Sequence, residues 1–532
     1  MELKRTISAI SFLSLILISF GIKLIEFDNP FSGFHLLRQL DNLVAIEEYF
    51  LEGIGLKRRG VAGGYLVFEL PVYQALVAFL SSSMEEILFY ARTINLVFAF
   101  LSMILLFKIA SIWFDTKTAI YSTLFFAFAP LNLAYHRAIM MDISTIFFCL
   151  TATWLLLEYL RDKNRIWVLP LFVIAGGLSV VTKALYFFPV GAIALANFIT
   201  QYRSPFSTNA VNYIKKNVGL VISFILIVGT LIWWMEVVKS ANGPIGIPDN
   251  GLFTFVSNWS FLFSLKYYFV LFFRFTLLLL NPFTFLLFIL GIVVIWMRYR
   301  DKDSIAFPIL IPFYFLIFGQ VNGPHEYYAL IMVPYCSIVA GVGAAWLEEK
   351  LNDSNLINKR ELTQGILSVF SSVVSILIFF LNFLVGSPNL NQKTVQIKQE
   401  MSTVLEPRQI AHVYINKSNF ALVDYIKYNR GLYLLYAMNV RSKGEIRVYG
   451  KPITSTEILY ALGQFGTAEF TQGEIPKINI QVLRQNQLKN LRYVMFYRYF
   501  EDQRSQIKSG MSAFKIFYES GDWIIYDLNI ER

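Results

Sequence analysis

Along most of the chain, polar residues are spaced too far apart to face water. Apolar runs of membrane-spanning length recur, separated by short polar breaks. A spanning helix needs about 20 mostly apolar residues, range about 17–25. The pattern predicts eleven spans: 6–25, 88–107, 118–134, 143–161, 167–183, 185–200, 218–236, 278–298, 305–321, 328–347 and 365–386. The fifth and sixth nearly fuse around Lys183. Two long connections stand apart, residues 26–87 and 237–277. The first contains an amphipathic pattern, Leu43 to Leu51, with Asp41 just ahead of it, where an N-cap belongs. The second ends in the aromatic run Lys266 to Phe275, which is expected to lie along the interface; the alternative is one more span. Beyond residue 386 the pattern changes to short β-like alternation, such as Arg492 to Tyr497 and Trp523 to Asp527, between turn-rich stretches.

Composition agrees with the pattern. Of 532 residues, 56% are hydrophobic and 15% charged, whereas an ordinary soluble domain carries about 25% charged residues. The charge is concentrated at the end. Residues 387–532 hold 32 charged side chains in 146 positions, against 50 in the 386 before them. The reading is a polytopic α-helical membrane domain over 1–386 and a small α/β domain over 387–532, of a size that folds by itself. Two cysteines, Cys149 and Cys336, both in apolar runs, exclude a disulfide scaffold. The N-terminus, Met1 to Arg5 before an apolar stretch, looks like a signal peptide without a small-residue cleavage site, and reads as a retained first helix.

The net charge of +10 is explained by placement, so no nucleic-acid partner is expected. With the N-terminus cytoplasmic, sixteen Lys and Arg fall in short cytoplasmic segments. Nine fall in the longer outer loops up to residue 327. Cytoplasmic loops carry the excess of basic residues. Eleven spans then put the C-terminal domain outside.

In that orientation the polar residues collect on one side. His35, His136 and His325 fall at outer ends of membrane segments, and Arg38, Asp41, Glu69, Arg137, Asp142, Lys183 and Glu326 join them at the same depth. Ionisable groups at membrane depth are costly and point to function. Each alone also reads as an interfacial loop residue; Arg58 and Arg59 suit lipid headgroups. The set, drawn from several loops, predicts a shared polar cavity. The chain has no Walker A loop, His-Glu-x-x-His helix, Cys-x-x-Cys pair or Gly-x-Ser-x-Gly elbow.

Several stretches resemble the GT-C glycosyltransferases, and among them glycosyltransferase family 39: the dolichyl-phosphate-mannose protein mannosyltransferases and the bacterial aminoarabinose transferases. His35-Leu-Leu-Arg38-Gln39-Leu-Asp41 is similar to the family's first-loop motif. Glu69-Leu70-Pro71-Val72-Tyr73 resembles its Glu-Phe-Pro-Leu-Tyr segment. Ala91-Arg92, Arg137 to Asp142, Thr182-Lys183 and His325-Glu326-Tyr327-Tyr328 with Pro334 follow in the family's order. The resemblance covers about residues 1–350. Many members carry Asp-Glu in the first loop; Asp41-Asn42 resembles the bacterial branch instead, which weighs against protein O-mannosylation.

The resemblance implies an enzyme of the bacterial plasma membrane, a hexosyl or pentosyl transferase. Its donor is a sugar on a polyprenyl phosphate and its acceptor a hydroxyl of a lipid, glycan or protein. Asp41 is the expected general base of an inverting transfer. Lys183, Arg137, Arg59, His325 and Arg38 are expected at the phosphate, with His35, Glu69, Asp142 and Tyr328 binding sugar or acceptor or orienting the cations. No cofactor is expected, and a metal-free reaction is favoured over a divalent ion between Asp41 and a second carboxylate. The alternatives are a transporter or flippase, a polysaccharide ligase or polymerase, and a scaffold for the tail. Transporters bring charged sites to the bilayer midplane and show internal repeats, whereas here the charges crowd to one side.

Overall fold

A computed structural model describes residues 2–25, 27, 36–56, 58–59, 65–66, 69–83, 86–201, 214–242, 259–299, 303–322, 325–353, 360–380, 410–416, 465–471, 491–497, 501–519 and 523–531. The chain divides into two compact units. One comprises Met1–Phe27, Val67–Leu80 and Phe89–Leu381; the other comprises Asp28–Leu66, Ser81–Leu88 and Asn382–Arg532. The expected boundary at residue 386 lies outside the described residues.

In the first unit the described residues of each predicted span lie mostly on helix. The helices are α1 (Glu2–Lys23), α3 (Val72–Leu80), α4 (Ile87–Trp113, whose first two residues group with the second unit), α5 (Thr116–Phe128), α6 (Pro130–Tyr135), α7 (Asp142–Arg161), α8 (Val168–Lys183), α9 (Phe188–Gln201), α10 (Val218–Asn242), α11 (Leu265–Arg274), α12 (Pro282–Tyr299), α13 (Ala306–Ile317), α14 (Val333–Asp353) and α15 (Arg360–Phe379). Six helical stretches are long and apolar enough to cross a membrane: Ile87–Trp113, Asp142–Arg161, Val168–Thr200, Val218–Ser240, Pro282–Tyr299 and Glu326–Asp353. Phe12–Lys23, Ala306–Ile317 and Thr363–Phe379 are shorter apolar helices.

Two breaks matter. The predicted span 118–134 is interrupted at Ala129, which is extended at ψ 128 before Pro130; a residue preceding proline is driven out of the helical region. The stretch Val168–Thr200 is also not one straight helix. Lys183 is extended (φ −151, ψ 98), and a 3-10 turn, Ala184–Phe187, follows. Phe187 then lies back against Phe172, ring centroids 6.5 Å apart. Fifteen residues of straight helix would hold them about 22 Å apart. The chain therefore turns at Lys183, as the separate spans 167–183 and 185–200 require. Leu265–Arg274 runs on into a π-helical turn, Phe275–Leu279.

Small residues let the helices approach closely. A Cβ on Gly291 would stand 1.8 Å from the Val339 carbonyl oxygen, and one on Gly343 would stand 2.0 Å from that of Leu287. Thus α12 and α14 cross backbone to backbone, a packing that small residues permit where no hydrophobic effect drives helices together. Gly341 likewise admits Ser122 of α5. At the far end of α14, Glu348 is buried between Tyr121 (2.9 Å) and Lys117 (3.2 Å) of α5. Asn281, just ahead of α12, donates to Ser371 and Ser375 of α15.

The second unit contains helix α2 (Leu36–Glu52), the two-residue strands β1 (Arg58–Arg59) and β2 (Tyr65–Leu66), and a five-stranded sheet. Its strands are β3 (Ile410–Asn416), β4 (Phe465–Thr471), β5 (Leu491–Tyr497), β6 (Phe514–Glu519) and β7 (Trp523–Glu531), in the order β4-β3-β5-β7-β6. β3 runs parallel to β4 and β5, while β7 runs antiparallel to β5 and β6. Alternate residues of a strand share one face. Val494 and Phe496 of β5 join Ile524, Tyr526 and Leu528 of β7 over Ile507 of helix α16 (Glu501–Gly510) and Met511. This is the small α/β fold expected of the tail.

Candidate functional site

The strongest polar cluster of the first unit sits where α7 begins and α8 ends. Asp142 is the first residue of α7, a position where the helix dipole favours an anion. Lys183 closes α8, and its extended backbone turns the side chain out of the helical register. Lys183 Nζ lies 2.5 Å from Asp142 Oδ1, with the side chains 5% and 1% exposed. The hydroxyl of Tyr186, from the 3-10 turn after the break, donates to the same oxygen at 2.5 Å.

A second 3-10 turn, Glu326–Met332, leads into α14 and brings its tyrosines to the same place. Lys183 Nζ stands 4.7 Å from the Tyr327 ring centre, 5.3 Å from Tyr328 and 5.4 Å from Tyr186. Cations are attracted to aromatic faces at such distances. Tyr186 also donates to the Tyr327 carbonyl at 3.0 Å, and Tyr314 of α13 to that of Tyr328 at 2.7 Å. Tyr135, at the end of α6, donates to Glu326 at 2.8 Å. His325 opens the turn, 5.5 Å and 6.2 Å from the rings of Tyr327 and Tyr328. The result is a buried cation whose position is set by one carboxylate and three rings.

Glu69 joins this region through the backbone. The Leu70 N–H donates to the Val181 carbonyl at 2.9 Å, two residues before Lys183, and Glu69 itself is half-buried. Tyr73 anchors the segment further by donating to the Ala91 carbonyl at 2.8 Å. Arg137 is buried in the turn between α6 and α7. That turn is pinned by Asn95, which donates to the carbonyls of Ala138 and Met140 at 2.6 and 3.0 Å.

The predicted base lies in the other unit. Helix α2 begins at Leu36, so Asp41 is its sixth residue and not an N-cap, a correction to the sequence reading. Arg38 is on the same helix, half-buried. Arg59 is on β1, paired with Tyr65. His35 and the side chains of Asp41 and Arg59 are outside the described residues. Among the described residues, no three His, Cys, Asp or Glu side chains group as a metal site.

Two participants of the cluster, and one buried cation elsewhere in the unit, escaped the sequence reading. Tyr186 follows Lys183 by three residues, one turn of the 3-10 helix. Tyr135 partners Glu326 across 191 positions. Lys23, inside the first predicted span, is fully buried and donates to Ser19 Oγ at 2.6 Å and the Ala127 carbonyl at 3.1 Å.

The structure is similar to that of ArnT from Cupriavidus metallidurans bound to undecaprenyl phosphate, with a TM-score of 0.62 over 97% of both chains and 10% identity. The chain has the GT-C fold. The oligosaccharyltransferase of Archaeoglobus fulgidus, tethered to an acceptor peptide, superposes at TM-score 0.52 with 12% identity, covering 91% of this chain and 69% of that one. The same archaeal enzyme, AglB, in complex with an inhibitory peptide and a dolichol phosphate, gives TM-score 0.52 at 11% identity. The family described as dolichyl-phosphate-mannose-protein mannosyltransferase matches residues 70–233. That stretch of the GT-C unit includes Arg137, Asp142 and Lys183. No curated protein sequence matches the chain. The protein is an integral membrane protein.

Proposed function

We propose that the protein transfers a sugar from a polyprenyl-phosphate donor to an acceptor hydroxyl of a lipid, glycan or protein. The reaction takes place at the outer face of a bacterial plasma membrane and inverts the anomeric centre. The observation that carries the reading is Lys183, a cation held between Asp142 and three tyrosine rings, in a fold shared with a protein solved with undecaprenyl phosphate.

The chemistry follows from the groups. Asp41 accepts the acceptor hydroxyl's proton as the new C–O bond forms. The bond from the anomeric carbon to the phosphate oxygen breaks on the opposite side. The polyprenyl phosphate leaves as an anion, so it needs cations more than a proton. Lys183, Arg137, Arg59, Arg38 and His325 supply them; fixed charge aimed at developing charge is usually the largest catalytic contribution. Asp142 and the Tyr186 hydroxyl hold Lys183 in place. His35, Glu69 and Tyr328 meet the sugar or acceptor. No cofactor takes part, so transfer persists after chelator treatment.

Asp41→Asn tests the base. Asn and Asp have similar helix propensities, so α2 is retained while the proton acceptor is lost. Single-turnover transfer from a polyprenyl-phosphate sugar is expected to fall about 10²–10⁴-fold with donor binding unchanged. Near wild-type transfer would move the base to Asp142 or Glu69. Orientation has its own test: a membrane-impermeant thiol reagent applied outside is expected to label Gly450→Cys but not Ala210→Cys or Asn355→Cys. The native Cys149 and Cys336 are buried. The reverse labelling pattern overturns the outer location.

A further inference from the structure

The end of α7 away from Asp142 carries a second cluster of complementary charge. A cleft of about 240 Å³ opens between α4 and α7, lined by Phe107, Lys108, Ser111, Ile112, Trp154 and Glu158. Lys108 and Ser111 are three residues apart on α4, and Trp154 and Glu158 four apart on α7, so each pair shares one helix face. One wall thus offers an ammonium and a hydroxyl, the other an indole and a carboxylate.

These groups are underused by the protein. Lys108 Nζ stands 4.6 Å over the Trp154 ring, and among the described residues it makes no ion pair. Ser111 Oγ is buried with no hydrogen-bond partner among the described residues. Glu158, which lines the cleft, meets Arg165 through Oε2, and Oε1 takes no part in that contact. Glu158 is sixteen residues beyond Asp142, about 24 Å along the helix. The cleft therefore belongs to the opposite membrane surface from the Lys183 cluster.

We propose that the cleft binds the phosphoethanolamine headgroup of a bilayer phospholipid. The phosphate takes Lys108 and the Ser111 hydroxyl, while the ammonium takes Glu158 Oε1. Size agrees: the volume is below the ~300–1,000 Å³ of sites for drug-sized ligands, too small for a glycolipid head but adequate for this one. The acyl chains also have a track. Val97, Phe100 and Ile104 of α4 are 51%, 47% and 41% exposed, and their spacing continues the stripe of Lys108 and Ser111. That the leaflet is cytoplasmic rests on the orientation proposed above; the binding itself does not.

The test uses the full-length protein, delipidated in detergent and titrated with phosphatidylethanolamine or phosphatidylglycerol, with bound lipid read by native mass spectrometry. Phosphatidylethanolamine adducts are expected on the wild type, with Lys108→Gln and Glu158→Gln each weakening binding about tenfold. Phosphatidylglycerol, which has the phosphate but no ammonium, is expected to bind about tenfold less and to ignore Glu158→Gln. Ser111→Ala, a milder change, is expected to weaken phosphatidylethanolamine about threefold and serves if either charge variant misfolds. Equal retention of the two lipids, or ethanolamine lipid retained unchanged by all three variants, shows belt lipid only and overturns the proposal. Because the readout is mass, the result is independent of whether the protein transfers sugar.

Discussion

The two ends of α7 use the same chemistry in opposite surroundings. At its start, Asp142 meets Lys183 with both side chains at most 5% exposed. Near its end, Glu158 meets Arg165, whose side chain is 45% exposed. A carboxylate–cation pair in water contributes about 0–1 kcal/mol. The same pair buried is weak evidence of net stabilisation, yet removing one partner costs about 3–5 kcal/mol because the other is left charged and alone. A buried pair is therefore retained at a risk that a surface pair never carries. The role proposed for Lys183 gives a reason to accept that risk there.

The sharpest way to break the comparison is Asp142→Ala. It leaves Lys183 among tyrosine rings without its carboxylate, and a loss of about 3–5 kcal/mol in denaturant unfolding is expected, together with loss of transfer. Adding Lys183→Met is expected to recover most of the stability and none of the transfer. If the double variant transfers sugar, the pair is structural only.

Arg165→Ala makes the corresponding change at the exposed end. A stability change of about 1 kcal/mol or less is expected, with transfer unaltered. A loss as large as that of Asp142→Ala would erase the distinction between the two ends.

The smallest effect is expected in the tail, where Glu519 of β6 meets Lys508 at 2.8 Å and Arg504 at 3.0 Å. The hydrogen bond from Lys508 comes first among the causes that hold its carboxyl below the usual value. A folded-state pKa below the unfolded one stabilises above the unfolded pKa, and that contribution is lost as pH falls through the depressed value. Unfolding of the sheet should therefore show acid sensitivity below about pH 4.5 that Glu519→Gln removes. An unchanged pH profile in that variant refutes the coupling.

How far each feature was legible in the sequence follows from range. Apolar runs are local, so the helices and the turn at Lys183 could be read from spacing. Asp142 and Lys183 stood out because charge at a helix end in an apolar chain is conspicuous. Their pairing did not, since 41 positions separate them. Of the three tyrosines around Lys183, Tyr327 and Tyr328 were marked by the stretch His325 to Tyr328, whereas Tyr186 was hidden by abundance, because the chain has 29 tyrosines and nothing local marks this one as special. Lys23 was hidden by a general habit: lysines near span ends usually snorkel to water, whereas this one is fastened to a carbonyl of α5. The start of α2 was misplaced because Asp41 ahead of a periodic run imitates a cap, while the true start at Leu36 carries no acidic residue in its first turn.

The contact between Tyr121 and Glu348 also sets a timetable for making the protein. The two residues are 227 positions apart, and chains are synthesised at about 5–20 residues per second. Roughly 10–45 s therefore pass between the emergence of α5 and the arrival of the helix that completes its surroundings. During that interval Lys117, Tyr121 and Ser122 are in place without α14, and α12 waits as well for Gly343. The bundle is thus closed late, by one C-terminal helix. A chain stalled or truncated before α14 begins at Val333 holds most of its apolar helices and none of their principal seam, which is the state that membrane quality control would be expected to meet.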